Sequence, residues 1–259
     1  MLELAEMVDV EVVEAMDNID EELSNIQALI IAFIIANSKD KEVEVVNADG
    51  TTSKETRSVL TSKANVDKEI RKLEKELSES FSESTLNSIK AVLAITTSYL
   101  ISELNFKNKN KINAEKFFGN NVVIGDRTLS QRTAIAVSNL FVDVEKIYRK
   151  GIIAGQDVGS IAKEIEDAFS KNIYQFNNII RSELFMAYRI QFGESVDKNG
   201  IKWIRFHESF PRHPKRKRHK CYELANKNKY GKGKGIYKPT DSIIYFPHPQ
   251  CTGWLEILE

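Results

Sequence analysis

Two short groups of histidine and cysteine near the end of the chain have the spacing of metal ligands. His219 and Cys221 form the first group, His248 and Cys251 form the second, and 26 residues lie between Cys221 and His248. A pair of nitrogen or sulfur ligands, a loop and a second pair is how a chain commonly encloses a tetrahedral zinc ion. We therefore predict a Zn²⁺ site with the ligands His219, Cys221, His248 and Cys251, and His213 is the alternative to His219.

Prolines on both sides of His248 restrict the backbone there. Pro247 and Pro249 each fix their own φ, and each biases the residue before it toward extended geometry. A helix is therefore not expected at His248, and the stiff extended segment suits a metal ligand.

Two other interpretations of the cysteines stay open beside the zinc site. Free cysteine is commonly buried as a small apolar side chain, so Cys221 and Cys251 can be ordinary core residues. They can also form a disulfide, although no secretory signal is recognisable that would indicate an oxidising compartment. The paired spacing favours the metal over both alternatives.

Charge is distributed unevenly along the 259 residues although the formal net charge is zero. Residues 198–240 contain 14 Lys or Arg against two acids, Glu208 and Glu223. Such a segment predicts contact with the phosphates of double-stranded DNA without base recognition, because cations neutralise the backbone whatever the sequence. The predicted DNA-binding residues are Arg212, Lys215, Arg216, Lys217, Arg218, Lys220, Lys227, Lys229, Lys232 and Lys234.

An acidic segment at the other end of the chain precedes its most apolar run. Residues 1–24 contain nine acids and neither Lys nor Arg, and residues 26–36 are almost wholly apolar. Eleven helical residues rise only about 16 Å, so we expect no membrane span. A helix with so apolar a face enters its own core or docks into a partner. We predict docking to a partner protein through Ile26, Leu29, Ile30, Phe33 and Ile34.

The periodicity of apolar residues predicts a mainly α fold. The C-terminal part is expected to be a small, irregular α+β module that resembles a zinc knuckle. Turn-forming residues around Gly50 predict a loop or hairpin tip within residues 40–52. Predicted helices span residues 2–38, 54–77, 82–104, 126–150, 160–170 and 173–197, and β-prone stretches span 201–206 and 243–246.

The Asn- and Lys-rich segment at residues 105–121 is the predicted boundary between two domains. The first is an N-terminal helical region, residues 1–125. The second, residues 126–259, comprises helices within 126–197 and a basic Cys/His module at 198–259, here named the C-terminal module.

A series of short motifs follows this boundary in a fixed order. The motifs are residues 126–130 (DRTLS), 150–155 (KGIIAG), 179–183 (IIRSE), 187–189 (AYR), Trp203, 221–226 (CYELAN), 230–237 (YGKGKGIY) and 247–251 (PHPQC). In order and spacing the series resembles the phage head morphogenesis family, the minor head proteins related to the Mu F-like proteins. Many members carry Cys-x-x-Cys in the first ligand group and His-Pro-x-Cys-Arg-Cys in the second. This chain has His219 in place of one cysteine, and Thr252 and Gly253 in place of Arg-Cys.

The resemblance implies a structural protein of a bacteriophage or phage-like particle. Such a minor capsid protein is present in few copies at the portal vertex and head interior, and reaches the virion from the host cytoplasm during assembly. It acts in head assembly or in genome packaging and delivery, with the portal, major capsid or scaffolding proteins and DNA as partners. No enzymatic activity and no small-molecule substrate are expected.

Two other functions compete with this interpretation. One is a metal-dependent nuclease of the His-Asn-His kind built on His219, Asn228 and His248, but the prolines around His248 forbid the helix that such a site needs. The other is a zinc-knuckle nucleic-acid-binding protein, which accounts for the basic segment and leaves the helical body without a role.

Overall fold

Long helices form most of the chain because nothing in its first 210 residues breaks them with a proline. The computed structural model describes residues 1–61, 63–107, 112–119, 127–208 and 219–258. The mainly helical fold with a small C-terminal strand module is as the sequence predicts. The long helices are α1 (Leu2–Ala36), α2 (Lys63–Leu104), α3 (Leu129–Ala154) and α4 (Val158–Lys198).

Helix α1 has one continuous apolar stripe along its length. The buried positions are separated by four, four and three residues in repetition, which averages about 3.7 residues per turn and so stays close to one face of an α-helix. The stripe consists of Leu4, Val8, Val12, Ala15, Ile19, Leu23, Ile26, Ile30 and Ile34.

A β-hairpin follows α1, where the sequence predicts a loop or hairpin tip. Strands β1 (Ser38–Val46) and β2 (Thr52–Leu60) pair in antiparallel register from Ser38 opposite Leu60 to Val46 opposite Thr52. Gly50 has a φ of +81° in the turn, a conformation that favours glycine. The Asp49 carboxylate accepts the Thr51 backbone N–H at 2.9 Å, which holds the turn closed.

The boundaries of the next helix differ from the prediction. Residues 54–60 belong to β2 and not to a helix, because pairing with β1 outweighs the helical spacing of their charges. The predicted helices 54–77 and 82–104 are replaced by the single helix α2, which continues through the Ser-rich segment because Phe81 is fully buried there.

Helices α3 and α4 also run further than predicted. Helix α3 passes through Gly151, whose missing Cβ leaves room for the Ile161 side chain, and it ends before Gly155, which has a φ of +59°. Helix α4 merges the predicted helices 160–170 and 173–197, and Gly200 follows its end with a φ of +79°.

The chain divides into two compact units that do not follow the predicted split into 1–125 and 126–259. One unit comprises Met1–Asp17, Ser82–Arg132 and Asn177–Glu259, and the other comprises Asn18–Phe81 and Thr133–Phe176. Every long helix contributes one part of its length to each unit, so contacts group distant segments of sequence.

The second of these units has its own internal contacts between helices. The rings of Phe81 and Phe176 lie with centroids 5.0 Å apart. The Tyr148 hydroxyl donates to the Asp67 carboxylate, and burial followed by this hydrogen bond raises the pKa of Tyr148 to about 12.

The C-terminal module belongs to the first unit and contains a three-stranded antiparallel sheet. Its elements are β3 (Trp203–His207), α5 (Lys220–Asn226), β4 (Ile236–Tyr237), a 3₁₀ turn (Ser242–Ile244) and β5 (Trp254–Leu258). Strand β3 lies between β4 and β5. The β-prone stretch 243–246 is therefore not a strand, and the sheet takes β5 instead. Within the described residues, no helix has the length and apolarity needed to cross a membrane.

Candidate metal centre

A buried arginine on α4 holds the segment that carries the second ligand group. Arg189 has no solvent exposure, and its guanidinium donates to the carbonyl oxygens of Tyr245 at 2.8 Å, Cys251 at 2.9 Å and Gly253 at 3.0 Å. Burial lowers the pKa of Arg189, and the nearby Cys251 thiol acts in the opposite direction. These hydrogen bonds fix the irregular loop at residues 245–253, which has few backbone–backbone hydrogen bonds of its own.

Three other α4 residues hold the same loop. The Ser182 hydroxyl accepts the backbone N–H of Gln250 at 2.9 Å, and the buried Tyr188 hydroxyl accepts that of Leu255 at 3.2 Å. Gly193 is required because a Cβ at this position would overlap the Tyr245 ring. One length of α4 thus positions residues 245–255. The sequence predicts no role for Ser182, Arg189 or Gly193, although Ser182 and Arg189 lie in the motifs of the resembling series.

The first ligand group lies at the start of α5. His219 has extended backbone geometry and Cys221 is buried in the first turn, so the two side chains face the same space. The Tyr237 hydroxyl donates to the Leu224 carbonyl at 2.9 Å, which ties α5 to strand β4. Helix α5 is therefore fixed to the sheet, and with it the first group.

The structure brings the two groups together. His219 Nδ1 lies 3.4 Å from Cys221 Sγ, and the rings of His219 and His248 meet edge to face with centroids 3.7 Å apart. One nitrogen or sulfur atom from each of His219, Cys221 and His248 lies within 4.8 Å of the others. These three residues could therefore hold a metal ion.

The hydrogen bonds of His248 leave one ring nitrogen ready to bind a metal. Nδ1 is 2.6 Å from the Pro249 carbonyl oxygen, which accepts a hydrogen bond only if Nδ1 carries the proton. Nε2 then has the free lone pair, and this atom is buried and has no hydrogen-bond partner among the described residues. A backbone carbonyl that fixes the tautomer in this way is typical of histidine ligands.

The remaining predicted ligand, Cys251, interacts with Cys221 and His248 but is not one of the three residues whose ligand atoms cluster. Its pKa is lowered because the Cys221 thiol donates to it, and the Arg189 charge and the His248 side chain act in the same direction. The pKa of Cys221 is raised because its proton bridges to Cys251 and because it is buried. Both residues are free cysteines and not a disulfide. Of the two cysteines, the geometric group contains Cys221, and Cys251 lies next to it.

The predicted DNA-binding residues separate into three groups. Lys220 is 3.2 Å from Glu223 and Lys229 is 2.5 Å from Asp241, so each has a neutralising partner. Lys227, Lys232 and Lys234 are exposed. Arg212, Lys215, Arg216, Lys217 and Arg218 lie outside the described residues, as does His213.

The exposed lysines lie on a closed loop between α5 and β4, here named the lysine loop (residues 227–235). Gly235 N–H donates to the Lys227 carbonyl at 3.0 Å, and Gly233 N–H donates to the Asn228 side chain at 3.1 Å. Gly235 has a φ of +71°, and a Cβ there would lie 2.7 Å from the Phe206 carbonyl oxygen. Asn228 thus has a structural role in the loop, which weakens the nuclease alternative.

The predicted docking stripe on α1 is largely part of this chain's own core. Ile26, Ile30 and Ile34 are buried, so these three cannot meet a partner in this conformation. Leu29 is 54% exposed and Phe33 is half-buried. The same periodicity also describes a helix that packs internally, and docking through this stripe stays a prediction.

Arg181 and Glu183 are two residues apart on α4, so their side chains point to different sides of the helix. The Glu183 carboxylate is ion-paired with Arg132, and Arg181 contacts the Met16 sulfur at 3.6 Å. Burial raises the pKa of Glu183 to about 7 although Arg132 opposes the change.

Comparison with known proteins gives no relative. No family model, no curated protein and no solved structure matches this chain.

Proposed function

We propose that this chain is a minor capsid protein of a bacteriophage or phage-like particle, with a zinc ion in its C-terminal module. It is located at the portal vertex and in the head interior, and it acts in head assembly or in genome packaging and delivery. It contacts DNA without base recognition. The portal and the major capsid or scaffolding proteins are its proposed protein partners.

The observation that carries the proposal is the convergence of the motifs that resemble minor head proteins. These motifs are far apart in sequence, yet Ser182 and Arg189 from the middle of the series hydrogen-bond to Gln250 and Cys251 at its end. The first ligand group meets the second at His219 and His248. The motifs of the resembling series that contain these residues therefore lie in one folded unit, as a shared domain would require.

The chemistry of the cluster favours zinc among metal ions. Imidazole nitrogen and thiolate sulfur are the donors that Zn²⁺ prefers, and two of each satisfy a tetrahedral structural site. When bound, the ion would cross-link α5 to the loop held by α4. A structural role is favoured because all four donors would come from the protein and none would be left for a substrate or water.

DNA contact is proposed to be electrostatic. Lys227, Lys232 and Lys234 are exposed on the lysine loop, and none of the ion pairs between described residues involves them. The ammonium groups of these exposed lysines would neutralise DNA phosphates and release the counterions bound to the DNA. The affinity for duplex DNA should therefore fall steeply with added salt.

The test is the protein content of particles purified from cells that produce this chain. We expect the chain to sediment with the major capsid protein and the portal, at a few copies per particle by quantitative mass spectrometry. The Cys221→Ser/Cys251→Ser variant should be lost from particles, whereas His207→Ala, a change in the same module outside the cluster, should be retained. Particles of normal composition that never contain the chain would contradict the proposal.

A further inference from the structure

Two half-buried aromatic rings of the C-terminal module carry lysines on their faces. The ring centroids of Trp203 and Tyr230 are 5.2 Å apart in an edge arrangement. Lys232 Nζ lies 4.9 Å from the Trp203 centroid, and Lys238 Nζ lies 5.4 Å from the Tyr230 centroid. Aromatic rings and mobile positive charges are thus combined on one surface, here named the aromatic–lysine face (Lys202, Trp203, Tyr230, Lys232 and Lys238).

The positive charges of this face are not neutralised by nearby acids. Lys202, Lys232 and Lys238 are exposed, and no ion pair between described residues includes any of them. Asp241 is close to Tyr230, but its carboxylate accepts hydrogen bonds from Lys229, from the Tyr230 hydroxyl and from the Lys238 backbone. Asp241 therefore serves to position Tyr230 and leaves the three lysines for an external anion.

A cleft of about 480 Å³ opens beside the Trp203 ring. Its walls include Ile201, Trp203 and Pro239, with Lys202 and Lys238 at the positively charged side. Thr240 and the exposed Asp197 also line it and offer hydrogen-bonding groups. The volume lies within the range of small-molecule sites and is large enough for one nucleobase and its sugar.

We propose that the aromatic–lysine face binds single-stranded nucleic acid, with one base in the cleft against Trp203 and the flanking phosphates on Lys202, Lys232 and Lys238. A duplex keeps its bases stacked inside and would use only the lysines, so a ring beside a cleft fits an unpaired strand better. Lys232 lies over the Trp203 ring and is not among the residues that line the cleft, so its charge can meet a phosphate while a base stacks against the indole in the cleft. This inference rests on the proposed function only in taking nucleic acid as a partner.

The experiment measures binding of the full chain to a fluorescent 12-nucleotide oligothymidylate and to a duplex of the same length by anisotropy. We expect the single strand to bind more tightly than the duplex. Trp203→Leu should weaken single-strand binding by roughly tenfold with little effect on the duplex, and Trp203→Phe should restore most of the loss. Lys202→Ala should also act mainly on the single strand, even if Trp203→Leu does not fold, because Lys202 lines the cleft and is not among the lysines assigned to duplex contact.

Lys234→Ala is the matched control, because this exposed lysine is on the same loop but outside the aromatic–lysine face; it should affect both ligands equally. Equal affinities for single strand and duplex with no response to Trp203→Leu or Lys202→Ala would overturn the inference. Displacement of the oligonucleotide by polyglutamate at the same charge concentration would also overturn it, since the face would then be a general polyanion site. Neither result bears on incorporation into particles, so the two proposals fail separately.

Discussion

Replacing Arg189 by methionine removes the side chain that holds the loop of the second ligand group. The carbonyl oxygens of Tyr245, Cys251 and Gly253 then lose the hydrogen bonds that the guanidinium donates to them. Methionine nearly fills the same volume, so the change tests the hydrogen bonds and charge more than the packing.

The expected loss of unfolding free energy is about 4 kcal/mol. A hydrogen bond to a charged donor contributes roughly 1.5–3 kcal/mol, and part of the sum for the three bonds is offset because the buried guanidinium no longer has to be desolvated. With an m-value of about 2 kcal/mol/M, the urea midpoint should fall by roughly 2 M.

The assay follows tryptophan fluorescence during urea unfolding. Both tryptophans, Trp203 and Trp254, lie in strands of the C-terminal module, so fluorescence reports this module while far-UV circular dichroism reports mainly the helices. Arg205→Met is the matched control, because Arg205 is partly exposed and its pairing with Glu256 at 3.2 Å should contribute at most about 1 kcal/mol. An Arg189→Met shift no larger than that of Arg205→Met would refute the assigned role of Arg189.

Two further changes on α4 have defined outcomes. Gly193→Ala should lower the midpoint of thermal unfolding, followed by fluorescence, by several degrees because the added Cβ would overlap the Tyr245 ring. Gly159→Ala, on the exposed first turn of the same helix, should change this midpoint little. Equal effects of the two substitutions would contradict the close packing of Gly193. Glu183 has a pKa of about 7 in the folded protein against an ordinary 4.5, so the folded state binds the proton of this carboxyl more tightly than the unfolded state does. The contribution of Glu183 to the free energy of unfolding should therefore decrease by roughly 3 kcal/mol as the pH rises from about 4 to 8. Glu183→Gln, compared with wild type by urea unfolding at each pH, should lack that decrease, and an unchanged pH profile would show that Glu183 is not the group responsible.

Helix type and the α1 stripe could be predicted because they follow from local periodicity alone. The stripe from Leu4 to Ile34 is visible in the sequence as a regular spacing of apolar residues. Whether such a stripe faces its own core or a partner is not a local property, and this is why Ile26, Ile30 and Ile34 were assigned to docking.

The errors at helix boundaries also have a non-local cause. The segment at residues 54–60 carries charges at helical spacing, yet it pairs along its whole length with β1. In the same way, Phe81 lies within a polar Ser-rich segment that reads as a break, and only its burial explains why α2 continues there.

The Cys/His residues could be picked out from the sequence, and the residues that hold their loop in place could not. His219, Cys221, His248 and Cys251 are rare residue types, so their paired spacing stands out. Arg189 is an ordinary residue on an amphipathic helix, and nothing local distinguishes a buried arginine that binds backbone carbonyls from an exposed one. The loop it holds is more than 50 residues away in sequence, at Tyr245 and Cys251.

The most direct test of the metal centre is the zinc content of the purified full chain by elemental analysis. The cluster predicts one zinc per chain in the wild-type protein, and loss of that zinc from His248→Ala and from Cys221→Ser. His207→Ala should keep its zinc, because His207 stacks on Trp254 at 3.9 Å between ring centroids and lies outside the cluster. Wild-type protein without metal after purification in zinc-supplemented buffer, or zinc that is retained in both ligand variants, would contradict the account.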